Sequence, residues 1–107
     1  MKSSIPITLE FNKDNVLLVL SYGANPTASP FSHKQIAEWC DKFWCQYMDV
    51  DAPEEIGKLL PILADVDCQW DLFLANTCTI KQLQTESFEH VQMPVEWFTK
   101  WLEDATA

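Results

Sequence analysis

The chain has 107 residues, of which 16 are Asp or Glu and 7 are Lys, with no Arg, so its formal net charge is -9. Residues 1–107 suit a single domain. Because 48% of the residues are apolar, the acidic chain should fold rather than stay disordered. The charge argues against nucleic acid and anionic membranes as partners, because phosphate groups are bound by clustered Lys and Arg.

The N-terminal segment predicts two strands joined by a turn. Ile7–Phe11 and Asn15–Tyr22 are rich in aliphatic, β-branched and aromatic residues, and Asn12-Lys13-Asp14 between them is typical of a turn. The second segment is apolar without alternation, which indicates a strand buried on both faces. We therefore expect an antiparallel β-hairpin, followed by a proline-containing loop over residues 23–30.

The next segment has the pattern of an amphipathic helix. Ser32 and Gln35 have the spacing of a capping box. The apolar residues after them recur at helical intervals up to about Met48: Ile36, Trp39, Cys40, Phe43, Trp44 and Tyr47. These side chains cover about half of the helix circumference, so we expect this helix to be the central one.

Two prolines organise the following segment. Pro53, with Glu54 and Glu55 after it, predicts a helix start, because proline and acidic residues suit the first helical turn. Pro61 must kink or restart that helix, because its ring clashes with the preceding turn. Residues 62–76 then continue a helical pattern of apolar residues.

The C-terminal part contains one ambiguous stretch and one clear helix. Trp70–Ala75 alone also fits a buried strand, and we choose the helix. Thr79 and Gln82 resemble a second capping box, Phe88–Met93 is expected to be extended, and Pro94 starts the last helix. The predicted fold is α+β: a single helix-rich domain with an N-terminal antiparallel β-hairpin packed against three to four amphipathic helices.

The cysteines and histidines show no metal-binding or catalytic spacing. The cysteines are Cys40, Cys45, Cys68 and Cys78. Because no C-x-x-C pair occurs among them, we expect neither zinc nor another cofactor. No signal peptide is visible, so we expect a cytoplasmic location and reduced thiols. His33 is expected to be a neutral surface residue and His90 a partly buried structural one.

Carboxylates form two groups that we take as a candidate acidic binding surface. The first group is Asp49, Asp51, Glu54 and Glu55, and the second is Asp65, Asp67 and Asp71. Both lie near predicted helix starts, so helix capping and solvated charge are an alternative explanation. A weak cation site is another alternative, but the spacing and the glycine of an EF-hand are missing.

Three tryptophans form a candidate aromatic surface. Trp39 and Trp44 lie on the two shoulders of the predicted central helix, and Trp97 flanks the apolar stripe of the last helix. Tryptophan is enriched at protein interfaces. Packing in the core is the alternative, because aromatic residues at helical spacing are usually buried.

The absence of a catalytic or phosphate-binding motif favours a non-enzymatic function. We expect a protein-binding domain, similar in size and charge to small acidic inhibitors or adaptors, with a basic protein as its partner. One alternative is a small-ligand-binding or enzymatic domain with a pocket lined by Trp, Tyr and Cys. Another is a homodimer that uses a helix face as its interface.

Overall fold

The computed structural model describes residues 7–77 and 91–106, and all regular secondary structure in these ranges is helical. The helices are α1 (Lys13–Ala24), α2 (His33–Tyr47), α3 (Glu54–Gly57), α4 (Leu60–Thr77) and α5 (Val95–Thr106). Helix α1 packs against α5 and α2, and α4 packs against α2 and α5. The four longer helices therefore form a closed ring of contacts. The predicted α+β class is wrong, because these ranges contain no sheet.

Helix α1 replaces the predicted hairpin. Asn12, expected in a turn, is the N-terminal cap of the helix, and its side chain accepts the backbone N–H of Asn15 at 2.9 Å. Asp14 lies in the first turn, where it complements the helix dipole. The buried residues follow the helical period: Val16, Val19, Leu20 and Gly23.

The strand prediction failed because the apolar run of α1 contains no polar residue that reveals its period. Leu17 is half-buried and Leu18 is 39% exposed, so both lie away from the centre of the core. A short apolar run fits a buried strand and a buried helix equally well. Packing against α5 selects the helix.

The segment before α1 is not a strand either. Residues 7–11 have no regular structure. The carbonyl oxygen of Leu9 accepts the indole N–H of Trp39 at 3.1 Å, which holds this segment against α2. Ile7 is buried, so the segment covers part of the core.

The predicted boundaries of α2 are confirmed. The side chain of Ser32 accepts the N–H of Gln35 at 3.1 Å, and the side chain of Gln35 accepts the N–H of Ser32 at 2.8 Å. This reciprocal pair is the expected capping box. The helix ends at Tyr47, with Met48 as its C-terminal cap.

The helix restart at Pro61 is also confirmed. Helix α3 ends at Gly57 and α4 begins at Leu60. Pro61 therefore lies in the first turn of α4, where no intrahelical hydrogen bond requires its missing N–H. Helix α4 includes Trp70–Ala75, so the choice of helix over strand was correct.

The apolar core lies inside the ring of helices. Its most deeply buried side chains include Val16, Val19, Leu20, Ile36, Trp39, Phe43, Leu59, Leu63, Val66, Met93 and Phe98. Phe43 packs among aromatic rings, with centroid distances of 4.9 Å to Phe11, 5.5 Å to Trp39 and 5.7 Å to Tyr47. The predicted apolar face of α2 is thus a major part of the core.

The prediction that His33 is a surface residue is wrong. Its side chain is 1% exposed. Its Nδ1 accepts the backbone N–H of Met93 at 2.8 Å, and its Nε2 lies 3.0 Å from the carbonyl oxygen of Gly23. Because a backbone N–H can only donate, Nδ1 is the acceptor, and Nε2 carries the hydrogen that Gly23 accepts. A neutral imidazole therefore links α1, α2 and the segment before α5.

Some sequence predictions fall outside the described residues. They concern the second capping box of Thr79 and Gln82, the thiol of Cys78 and the environment of His90. The extended segment Phe88–Met93 is described only in part, and its residues 91–93 have no regular structure.

Candidate functional site

The first predicted acidic group lies in solvent around the start of α3. Its four residues are all exposed: Asp49, Asp51, Glu54 and Glu55. Glu54 and Glu55 line a cleft of about 300 Å³ that also contains Lys13 and Lys58. The ammonium group of Lys58 is 3.6 Å from a carboxylate oxygen of Glu54. Positive charges therefore lie among these acids and reduce the local negative charge.

The residues of the second predicted acidic group lie in two different environments. Asp65 faces α5, where its Oδ2 accepts the indole N–H of Trp101 at 2.7 Å. Its Oδ1 is 3.5 Å from the side-chain nitrogen of Gln69. Asp65 therefore connects α4 to α5, and one of its oxygens is already used within the fold.

The fold brings Asp67 of α4 close to Asp41 of α2, and Asp71 lies one helical turn after Asp67. Asp41 and Asp67 line the same pocket, and the negative charges of Asp41 and Asp71 both act on Asp67. We call these three residues the α2–α4 carboxyl cluster. Sequence reasoning did not select Asp41 as a site residue, because its closeness to α4 arises only from helix packing.

The surroundings of Asp67 in the cluster change the pKa of its carboxyl group. Partial burial and the negative charges of Asp41 and Asp71 raise the pKa of Asp67 from 3.8 to about 6. All of these causes act in the same direction. Within the described part of the chain, no neighbouring cation counteracts them.

A pocket of about 160 Å³ opens beside the carboxyl cluster. It is lined by Asp41, Trp44, Ala64 and Asp67. Trp44 belongs to the predicted aromatic surface and is half-buried. An indole ring next to carboxylates is a combination that attracts ammonium and guanidinium groups. The pocket therefore suits the end of a Lys or Arg side chain.

The other two predicted aromatic residues lie elsewhere. Trp39 is 1% exposed, so it belongs to the core and not to an exposed aromatic surface. Trp97 is half-buried and lines a separate cleft of about 310 Å³ between α4 and α5. Its ring centroid is 5.9 Å from Phe73 and 6.4 Å from Trp101. The predicted aromatic residues therefore do not form one continuous surface.

The cysteines near the cluster are poor nucleophiles. Burial and the charges of Asp67 and Asp41 raise the pKa of the Cys40 thiol well above its usual range. Local desolvation and Asp41 also raise the pKa of the exposed Cys45 thiol, whose Sγ is 3.7 Å from Oδ1 of Asp41. Both side chains are therefore protonated at neutral pH, and thiols react far more slowly than thiolates.

No protein-family model matches this chain, and comparison with curated proteins and with solved structures finds no match. In residues 7–77 and 91–106, no group of three or more His, Cys, Asp or Glu side chains could hold a metal ion. No helix in the same ranges is long and apolar enough to cross a membrane. Among the described residues, the carboxyl cluster and its pocket are the features that point to a function.

Proposed function

We propose that this chain is a non-enzymatic acidic domain that binds a basic protein partner, with the α2–α4 carboxyl cluster at the centre of the interface. The main support is the pocket between α2 and α4, because it places the carboxyl groups of Asp41 and Asp67 beside the indole ring of Trp44. In this interface, a Lys or Arg side chain of the partner enters the pocket and contacts Trp44 as well as the carboxylates.

The charge of the whole chain supports the same class of partner. A formal net charge of -9 attracts a basic protein and raises its association rate. The attraction acts over about 8 Å at physiological ionic strength, so added salt should weaken it. The same charge repels nucleic acids and anionic membranes, which this proposal excludes as partners.

A catalytic function has less support from the described residues. His33 uses both ring nitrogens in hydrogen bonds to the backbone, so it is not free to act as a base. Cys40 and Cys45 are protonated at neutral pH because their pKa values are raised. None of the three cavities described above has Tyr or Cys in its lining, so none of them resembles the Trp/Tyr/Cys pocket of the alternative function.

The proposal is tested by measuring the affinity of an oligo-arginine peptide for two variants of equal charge. One variant carries Asp41→Asn and Asp71→Asn in the carboxyl cluster. The matched control carries Asp49→Asn and Asp51→Asn, which are exposed carboxylates outside the cluster. We expect about a tenfold loss of affinity in the cluster variant and a smaller loss in the control, because only the cluster contacts the bound cation.

Equal losses in the two variants would contradict the proposal, because they would indicate a general charge effect without a preferred site.

A gel-shift assay with duplex DNA should show no binding by the wild-type chain. Sedimentation velocity of the wild-type chain without peptide tests the homodimer alternative, for which we expect a monomer.

A further inference from the structure

The imidazole of His33 makes one hydrogen bond that requires a lone pair on its ring. Its Nδ1 accepts the backbone N–H of Met93 at 2.8 Å. Both residues are 1% exposed, so this bond is shielded from water. Residues 91–93 have no regular structure, so the N–H of Met93 does not belong to a helix or a sheet. The hydrogen bond that joins this segment to α2 therefore depends on an unprotonated Nδ1.

A second proton on the ring would remove this acceptor. The pKa of an ordinary histidine is about 6.5, so weakly acidic solution can supply the proton. In the imidazolium both ring nitrogens are donors, and the hydrogen on Nδ1 would point at the N–H of Met93. The bond is then lost, and the buried N–H is costly to leave without a partner. Outward movement of residues 91–93 would let water satisfy this N–H.

The other hydrogen bond of the ring responds to the same proton in the opposite way. Nε2, which is 3.0 Å from the carbonyl oxygen of Gly23, keeps its hydrogen in the imidazolium. A charged donor strengthens that bond. The ring of Phe98, whose centroid is 4.4 Å from that of His33, also attracts a cation. Protonation therefore breaks the link to residues 91–93 and favours the link to α1.

The ionisable groups around this ring affect the pH at which it titrates but not which bond breaks. On the elements that pack against it, the nearest ionisable residues along the chain are Tyr22 in α1, Lys34 in α2, and Glu96 and Lys100 in α5. Residues 91–93 contribute none. Glu96 and Lys100 are exposed, so solvent screens their charges. Whatever field these groups produce, a protonated Nδ1 has no lone pair to offer.

We propose that His33 is a pH-sensitive switch: protonation of its imidazole detaches residues 91–93 from α2 and leaves the hydrogen bond between His33 and Gly23 in place. The proton comes from solvent, and no bond between heavy atoms is made or broken. Helix α5 begins at Val95, so the detached segment is the one that leads into α5. Mild acid thereby loosens the attachment of the start of α5 to α2. This inference is independent of the proposed basic partner.

The first experiment determines the tautomer of His33. Long-range ¹H–¹⁵N correlation NMR of the full chain at about pH 7.5 should show the ring hydrogen on Nε2 and a lone pair on Nδ1. A hydrogen on Nδ1 at this pH would contradict the proposal, because Nδ1 could not then accept the N–H of Met93.

The second experiment measures hydrogen exchange of the wild-type chain at about pH 7.5 and about pH 5, corrected for the intrinsic pH dependence of exchange. The protection factor of the Met93 amide should fall about tenfold or more, because the open state binds a proton that the closed state excludes. The control is the indole N–H of Trp39, because its acceptor is the carbonyl oxygen of Leu9, which does not titrate in this range. Its protection should change by less than about twofold.

Unchanged protection of Met93 would overturn the proposal. Equal losses of protection at Met93 and Trp39 would also overturn it, because they would indicate unfolding of the whole domain and not a local switch. These two wild-type measurements decide the question even if a substitution at position 33 prevents folding.

A third experiment repeats the exchange measurement on two matched variants. The side-chain amide of His33→Asn does not titrate in this range, so the pH dependence at Met93 should disappear. His90→Asn removes the other histidine of the chain and should retain it. Loss of the pH dependence in His90→Asn, with its retention in His33→Asn, would assign the effect to His90 and contradict the proposal.

Discussion

Gly23 of α1 lies directly against the ring of Phe98 of α5. A Cβ atom built on Gly23 would be 2.6 Å from Cγ of Phe98 and even closer to two other ring carbons. Phe98 is completely buried and also packs on His33 and Trp101, with ring centroids 4.4 Å and 5.0 Å apart. The ring therefore cannot move aside easily, and the close approach of α1 to α5 depends on glycine at position 23.

We expect Gly23→Ala to destabilise the fold by about 1–3 kcal/mol, because the overpacking exceeds the gain in helix propensity. Gly57→Ala is the matched control, because a Cβ atom at Gly57 would have nothing within 4 Å. The control should be neutral or stabilising by up to about 1 kcal/mol. Urea denaturation of both variants measures the difference, and equal stabilities would show that α1 and α5 are not packed this closely.

His33→Ala should lower the free energy of unfolding by about 3 kcal/mol. The substitution leaves the N–H of Met93 and the carbonyl of Gly23 without their buried partner and creates a cavity beside Phe98. Gln46→Ala, an exposed position in the same helix, should change stability by less than about 0.5 kcal/mol. A thermal melt of the His33 variant within a degree or two of wild type would contradict the linking role of this imidazole.

The hydrogen bond between Asp65 and Trp101 should appear as a coupling energy in a double-mutant cycle. Trp101→Phe removes the indole N–H that Asp65 accepts at 2.7 Å, and Asp65→Ala removes the acceptor. We expect a coupling of about 1 kcal/mol from urea denaturation of the two single variants and the double variant. Additive effects would mean that the bond does not stabilise the contact between α4 and α5.

Asp67→Asn should stabilise the protein at neutral pH and have no effect in acid. The folded protein raises the pKa of Asp67 from 3.8 to about 6, so the folded state binds more protons than the unfolded state between these two values. The stability of the wild type therefore falls as the pH rises from about 4 to about 6, and stays low above that. The uncharged amide avoids this loss.

The expected gain at pH 7.5 is about 1 kcal/mol after allowance for solvent screening, because Asp67 is only partly buried. Urea denaturation at about pH 4 and about pH 7.5 measures it. Asp49→Asn, at an exposed site outside the cluster, provides the comparison. A stabilisation of equal size at both pH values would show that the charge of Asp67 is not its cause.

Local sequence signals predicted three of the longer helices. The capping box of Ser32 and Gln35 marked the start of α2, and Pro61 and Pro94 marked the starts of α4 and α5. These signals can be recognised in the sequence because each one depends on residues within a single helical turn. Helix α1 was missed because its apolar run has no polar residue that distinguishes a helical period from a strand.

The candidate site was predicted only in part. Asp67, Asp71 and Trp44 were selected from the sequence. Asp67 and Trp44 line the pocket between α2 and α4, and Asp71 belongs to the carboxyl cluster. Asp41 was not selected, although it lines the same pocket as Asp67. Trp39 was selected but is buried, because the side of α2 that it occupies packs against the N-terminal segment.

The sequence alone determined the net charge, the caps and the proline breaks, since these depend on composition or on residues within one turn of each other. The tertiary structure decided that α1 is a helix, that His33 is buried and that Asp41 meets Asp67. The hydrogen bond of Asp65 with Trp101 and that of His33 with Met93 join residues 36 and 60 positions apart. Such contacts form only when the helices pack around a common core, because burial and pKa shifts depend on neighbours brought together by the fold.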